Sequence, residues 1–303
     1  MKPLKNLLIA LVLIPTISCK TDKKLENKKD ELSEFNYTPK KPLNGEIYGV
    51  VELGAAGFNS FIINVDKNLN WELVNREFGT SLLVEGMTNA MLINQKLREY
   101  LKKIADFGVP NENIHFVVSS GAIKEDITQT IIKELKTIGF DVNTVTHHEE
   151  GVGALKSILP KEFEKNAFAV DLGSGNTKIS FLNENGIIET LETHGAKYYQ
   201  KGFEDAVVYS EVREIASKIP IKNRKQCFII GGVPTEMAKL FTNNKTNYIV
   251  LSPDTEKYKS LTNKKVKSGI NIFKAIQNET NTKQTIYSTD GNFAIGFLLN
   301  KLS

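Results

Sequence analysis

Val170-Asp171-Leu172-Gly173-Ser174-Gly175-Asn176-Thr177 is the stretch that decides how this chain folds. An apolar run from Ala167 ends on an acid, Ser174-Gly175-Asn176 supplies a turn with almost no bulk, and Thr177 to Leu182 returns as a strand. Small residues between two β-rich runs mark a hairpin. Upstream, Ile47 to Gly54 does the same. Val51-Glu52-Leu53-Gly54 leads into Ala55-Ala56-Gly57, and Phe58 to Val65 returns. The acids Glu52 and Asp171 lie 119 residues apart. One acid-x-Gly turn is weak evidence; two, each opening a similar length of chain, form an internal repeat.

Around these hairpins the apolar spacing alternates between helix and strand. Ile93, Leu97, Leu101 and Ile104 place an amphipathic helix over 88–106. Ile114 to Val118 reads as a short buried strand ending in Ser119-Ser120-Gly121. A helix follows from Lys124 to Ile138 and stops at Gly139. Val142 to Val145 is a further strand, and Glu149 to Leu159 a helix closed by Pro160. In the second half, Ala206 to Lys218 is a helix, and Gln226 to Ile230 a strand running into Gly231-Gly232. A helix through Met237 to Phe241 and a last one over Gly291 to Leu302 complete the chain.

The paired hairpins resemble those with which the actin-like superfamily of acetate kinase, sugar kinases, Hsp70 and actin holds phosphates. The physical logic is readable in these residues. Backbone N–H groups in a tight turn converge on a concavity that favours anions. Gly54, Ala55, Ala56 and Gly57, and Gly173, Ser174, Gly175, Asn176 and Thr177, keep little bulk from an approaching phosphate. A strand-end acid, Glu52 or Asp171, can hold Mg²⁺ or its waters, because hard cations take oxygen ligands.

Within that superfamily the order of segments resembles the exopolyphosphatase/pppGpp phosphohydrolase (Ppx/GppA) family. Val50 to Ile63 resembles its first phosphate loop, and Val117 to Lys124 its A-T-S-A-x-R segment, with Lys124 at the Arg position. Thr146-His147-His148-Glu149-Glu150-Gly151 resembles I-S-G-x-E-E-A, and Val170 to Thr177 resembles D-I-G-G-G-S-T-E. His194-Gly195-Ala196 falls at the family's L-G-A-V stretch. Ile230-Gly231-Gly232-Val233-Pro234-Thr235 matches its third glycine turn, and Ser288 to Gly296 its closing segment. The matches run in order over about residues 46–303.

The resemblance implies an α/β protein of two actin-like, ribonuclease H-like lobes, residues 46–165 and 166–303, with a phosphate-binding cleft between them. It also implies hydrolysis that releases terminal phosphate from polyphosphate or a related phosphoanhydride. Glu150 would be the general base, preferred over Glu149 because it precedes the small residue. Glu52 and Asp171 would hold Mg²⁺. Ser119, Lys124, Gly231 and Gly232 would grip the phosphates beside the two hairpin turns.

Five positions depart from the family pattern. Glu52 stands for an Asp, Gly57-Phe58 for a polar pair, and Lys124 for an Arg, which loses a bidentate fork. Lys178 replaces an acid that helps hold the metal, a swing of two charges. These departures motivate the alternative, a catalytically degenerate anion-binding or scaffolding protein of the same fold. An ATP-using kinase of the superfold is disfavoured by export and by the absence of a further Asp base. His147-His148 reads as a pair of loop histidines, Lys264-Lys265-Val266-Lys267 as a solvated loop whose charge could also steer polyphosphate, and Trp71 and Arg76 as packing and surface residues.

The N-terminus carries an address. Lys2 and Lys5 precede an apolar run from Leu7 to Ile14, and Thr-Ile-Ser leads to Cys19. A charged start, a short greasy core and small residues before a cut describe a secretory signal. Ile17-Ser18-Cys19 resembles a lipoprotein signal, so residues 1–19 are expected to be the signal peptide and Cys19 the lipidated residue. Residues 20–45, rich in Lys, Asp, Glu and Asn, are expected to be a disordered tether. Leader and tether carry the whole net charge of +4, leaving 30 basic and 30 acidic residues in 42–303. A nucleic-acid partner loses its main support. The expected partners are a phosphoanhydride ligand, the cell-envelope membrane through the anchor, and a second copy of the chain. Cys227, before Phe228-Ile229-Ile230, reads as a buried structural thiol.

Overall fold

Central strands buried in continuous runs, covered on both faces, build this molecule in layers. The computed structural model describes residues 35–54, 57–78, 90–241 and 246–303. The first half comprises β1 (Glu46–Gly54), β2 (Gly57–Val65), β3 (Trp71–Phe78), α1 (Ala90–Ala105), β4 (Ile114–Val118), α2 (Asp126–Thr137), β5 (Val142–Thr144) and α3 (His147–Ile158). The second comprises β6 (Ala167–Leu172), β7 (Asn176–Leu182), β8 (Ile188–His194), α4 (Asp205–Ser217), β9 (Gln226–Ile230), α5 (Gly232–Ala238), β10 (Tyr248–Leu251), α6 (Lys264–Thr280), β11 (Gln284–Ser288) and α7 (Phe293–Lys301).

The sheets run β3-β2-β1-β4-β5 and β10-β11-β9-β6-β7-β8. In each, an antiparallel three-strand meander gains parallel strands on the free side of its first strand, through β1·β4·β5 and β6·β9·β11. Parallel pairs need crossovers, and helices supply them. The repeat seen in the sequence is therefore a repeat of topology. The acid-bearing strands β1 and β6 hold the same central place in their sheets.

Successive side chains of a strand point to opposite faces. On the outer face of the first sheet, Val51, Leu53, Phe116 and Val118 meet Ile93 and Leu97 of α1 and Ile131 and Leu135 of α2. On the outer face of the second, Val170, Leu172, Ile179 and Ile229 meet Val208 and Val212 of α4 and Ile272 and Ile276 of α6. The inner faces share a third core. Val50, Phe61, Ile63 and Val117 of one sheet and Ala169, Phe228, Ile230 and Ile286 of the other enclose α3 and α7. Helix α7, sequence FAIGFLLNK, buries Phe293, Ala294, Ile295, Leu298 and Leu299, as a helix apolar on most sides must.

Helices α3 and α7 approach closely because of two glycines. A Cβ on Gly153 would lie 2.5 Å from the Phe293 carbonyl oxygen, and one on Gly296 would run into the Gly153 backbone.

Several stretches differ from the sequence reading: the helix expected through Met237 to Phe241 is α5, which starts at Gly232, His147-His148 open α3 instead of lying in a loop, and β3, β8, β10 and β11 have no counterpart in it. Lys264-Lys265-Val266-Lys267 is not a loop but the first turn of α6, where the Asn263 side chain accepts from the Val266 N–H at 3.3 Å. Within 35–45, assigned to the tether, Phe35 and Tyr37 pack on Phe163 and Tyr248. Cys19 and the leader lie outside the described residues.

Candidate functional site

The site begins at the ends of β1 and β6, where Glu52 and Asp171 stand. Each acid is paired across its hairpin with the residue seven positions on, Glu52 with Asn59 and Asp171 with Lys178. Cross-strand partners share a face. In the first lobe the partner is a neutral amide, and Asn59 Nδ2 donates to Glu52 Oε2 at 3.0 Å. In the second it is a cation. Lys178 is also opposite Glu192 on β8, so Asp171, Lys178 and Glu192 form one row.

Helix α3 lies over that row. It starts with a capping box in which Glu149 Oε2 accepts from the Thr146 N–H at 2.7 Å, and Thr146 Oγ1 accepts from the Glu149 N–H at 3.2 Å. Glu149 is thereby committed to the cap. Glu150 points inward, with a side chain only 1% exposed, and forms an ion pair with Lys178, itself 9% exposed. Its other oxygen, Oε1, accepts from the Ser120 N–H at 2.6 Å and from Ser120 Oγ at 2.9 Å. Gly151 lets α3 settle this low, since a Cβ there would meet Ser180 Oγ at 2.6 Å and clash with Thr190.

At the rim, His147 Nδ1 is 2.9 Å from both Ser120 Oγ and Asn176 Nδ2, and Asn176 Nδ2 donates to Glu192 Oε1 at 2.7 Å. Asn292, the N-cap of α7, donates to Glu52 Oε2 at 3.2 Å.

Burial dominates the electrostatics. It pushes the Glu52 carboxyl up to about 7, with nearby Asp171 and Glu150 adding to the rise while Asn59 and Asn292 oppose it. Burial also raises Asp171, which Lys178 pulls back down and Glu150 pushes further up. For Lys178 burial is the largest single influence and works against the charge. Asp171 and Glu150 outweigh it, and the ammonium is held above its ordinary range. Glu52 thus senses Asp171 and Glu150, and Asp171 senses Lys178 and Glu150.

The glycine turns are packed tightly together. Gly173 has no room for a Cβ, which would lie 2.6 Å from the Asn176 carbonyl oxygen. Gly195 rests against Gly175 and Asn176, and the Ala196 and Lys197 N–H groups donate to the Gly173 and Ser174 carbonyls at 2.9 Å. Gly231, at φ +121°, abuts the Leu172 carbonyl, and Gly232 opens α5. Thr177 is buried and donates to the His194 carbonyl at 2.7 Å. Gly54 pairs with Gly57 at the first turn, while Ala55 and Ala56 lie outside the described residues.

Two expected phosphate contacts sit differently. The Ser119 N–H extends the sheet by donating to the Leu53 carbonyl at 3.0 Å, and its neighbour Ser120 meets Glu150. Lys124 is exposed in the turn ahead of α2. Residues the sequence reading did not place in the site are Ser120, Asn59, Glu192, Asn292 and His147. Only His147 was singled out there, as a loop residue.

The donors do not fit the Mg²⁺ expected at Glu52 and Asp171. The ammonium of Lys178 occupies the Glu150 oxygen and faces Asp171. Among the described residues no group of three or more His, Cys, Asp or Glu side chains is arranged to hold a metal ion.

Two mixed α/β sheets built on one plan, with an acid at each hairpin turn, give the chain a two-lobe α/β fold that matches solved Ppx/GppA structures. An exopolyphosphatase from Cytophaga hutchinsonii superposes with a TM-score of 0.65 at 17% identity, covering 85% of this chain and 98% of its own. The Aquifex aeolicus Ppx/GppA enzyme gives 0.62 at 19% identity, covering 84% and 100%. The type II variant of the Aquifex aeolicus Ppx/GppA phosphatase gives 0.61 at 16%, covering 85% and 99%. At these identities the likeness speaks for the fold. No family model and no curated protein sequence matches the chain.

Proposed function

We propose that this protein is a phosphoanhydride hydrolase that releases terminal phosphate from polyphosphate or a related polyanion. The observation that carries the reading is the inward-facing Glu150, set among Ser120, Lys178, Asp171 and Glu52 beside the glycine turns. The turn N–H groups would hold phosphate oxygens. A water would attack the terminal phosphorus in line, and Glu150 would take its proton as the P–O bond to the rest of the chain breaks. Products are inorganic phosphate and a chain one unit shorter. The leader supports export and anchoring at the cell envelope through Cys19, and Cys19→Ser is expected to move the protein out of the membrane fraction.

Phosphate release from long-chain polyphosphate tests the activity. Glu150→Gln is expected to lower the rate about 100-fold or more, the low end for a general base. A wild type that releases no more phosphate than Glu150→Gln sinks the hydrolase reading. One observation favours the second reading, anion binding without turnover. Both Glu150 oxygens are already engaged, by Ser120 and Lys178. Calorimetric binding of polyphosphate without hydrolysis would select it.

A further inference from the structure

We propose that the Lys178 ammonium is a resident cation that takes the charge-compensating place of a divalent metal in this cleft, so that anion binding here requires no Mg²⁺. The ligand in this proposal rests on the phosphoanhydride reading above; the cation does not.

The argument starts from the row Asp171–Lys178–Glu192 across β6, β7 and β8, with Glu150 coming down from α3. Lys178 therefore sits under three carboxylates while its side chain is 9% exposed. A lysine so enclosed keeps its charge only when acids surround it. Asp171, Glu150 and Glu192 all act in that direction, against the burial that opposes it. Mg²⁺ bonds oxygen at about 2.0–2.1 Å and demands near-octahedral geometry. It cannot share the Glu150 oxygen that the ammonium contacts, and a divalent ion beside Lys178 would be repelled.

The first hairpin sharpens the point. Its equivalent position holds Asn59, a neutral donor to Glu52, so the fold does not demand a cation there. The charge is specific to the second hairpin, where the acids are most numerous. An ammonium also has three N–H donors, and those not used on Glu150 can be presented to a phosphate oxygen.

Two measurements separate the cation from the ligand. In the first, Mn²⁺ is titrated into the full-length protein without phosphate and followed by paramagnetic resonance. Wild type is expected to show no Mn²⁺ site that Glu150→Gln abolishes, whereas Lys178→Glu gains one. In the second, tripolyphosphate is titrated calorimetrically with a chelator present. Wild type is expected to bind, and Lys178→Met to bind at least about tenfold more weakly. Lys178→Arg, which keeps the charge, should retain most of the affinity, and melting curves verify that each variant folds. A wild-type Mn²⁺ site lost in Glu150→Gln, or a folded Lys178→Glu that binds no Mn²⁺, overturns the proposal. So does tripolyphosphate binding that appears only after Mg²⁺ is added. Absence of tripolyphosphate binding under every condition overturns the ligand reading instead, and the Mn²⁺ titration still judges Lys178.

Discussion

Glu149 and Glu150 are chemically identical neighbours, and one helical step gives them different tasks. The capping box holds Glu149 at the rim, and 100° of rotation turns Glu150 into the core, where Ser120 and Lys178 meet it. Ser120→Ala removes the hydroxyl on Glu150 Oε1 but leaves the backbone N–H bond intact. A hydrogen bond to a charged group contributes about 1.5–3 kcal/mol to stability, so Ser120→Ala is expected to lower the melting temperature, and polyphosphate turnover with it as Glu150 loses its positioning contact. A turnover number equal to wild type would remove Ser120 from the machinery. The family resemblance of Val117 to Lys124 implies Ser119 as a phosphate contact, one residue before the serine that meets Glu150. What decides between them is where the sheet ladder ends, and Ser119 still belongs to it. Asp66 offers a test at the same scale, far from the site. It accepts from Asn70 Nδ2 at 2.9 Å and from the N–H groups of Leu43, Asn68 and Asn70, which together lower its carboxyl from 3.8 to about 2. A depressed acid stabilises the fold above its unfolded value of about 3.9, and that contribution disappears as pH falls through about 2. Melting temperatures of wild type and Asp66→Asn should therefore differ at pH 7 and converge near pH 2. A gap that does not narrow would refute the assignment.

At the scale of elements, what the hairpins encode was legible and what the helices encode was only partly so. An acid, a glycine turn and a return strand are all local, and the observed β1–β2 and β6–β7 pairs follow them closely. The approach of α3 to α7 depends on Gly153 and Gly296, which come from segments more than 130 residues apart, and nothing local marks them as a contact. The same blindness applies to the first turn of α6, Lys264 to Lys267, which reads as a solvated loop because its polar residues hide the cap at Asn263 and the apolar face beyond it. Gly296→Ala puts a methyl group into the Gly153 backbone, which has no flexible side chain to yield. Overpacking of this kind typically costs about 1–3 kcal/mol. Ala is also the better helix former, by about 1 kcal/mol, so an isolated helix would be stabilised by the same change. The expected outcome is a lower urea midpoint, and an unchanged or raised midpoint would mean that the helices separate at little cost.

For the whole molecule, the repeated topology suggests two halves, yet the burial pattern binds them into one. The middle core draws Val50, Phe61 and Val117 from the first sheet and Ala169, Phe228 and Ile286 from the second, with α3 and α7 buried between them. Opening the molecule into free lobes would expose that entire layer, and at about 25 cal/mol per Å² of apolar surface the penalty is large. Glu150 would also lose Ser120, its hydrogen-bond partner from the first half. Unfolding is therefore expected to be a single cooperative event. Each sheet has its own reporter: Trp71, the sole tryptophan, starts β3 and packs on the middle core, and Cys227 is a buried thiol in β9 within the outer core of the second sheet. In a Cys19→Ser background, Trp71 fluorescence and Cys227 labelling should report the same urea midpoint. Two midpoints would show that the lobes fold separately, and the shared layer would then be a contact surface between two units instead of the core of one.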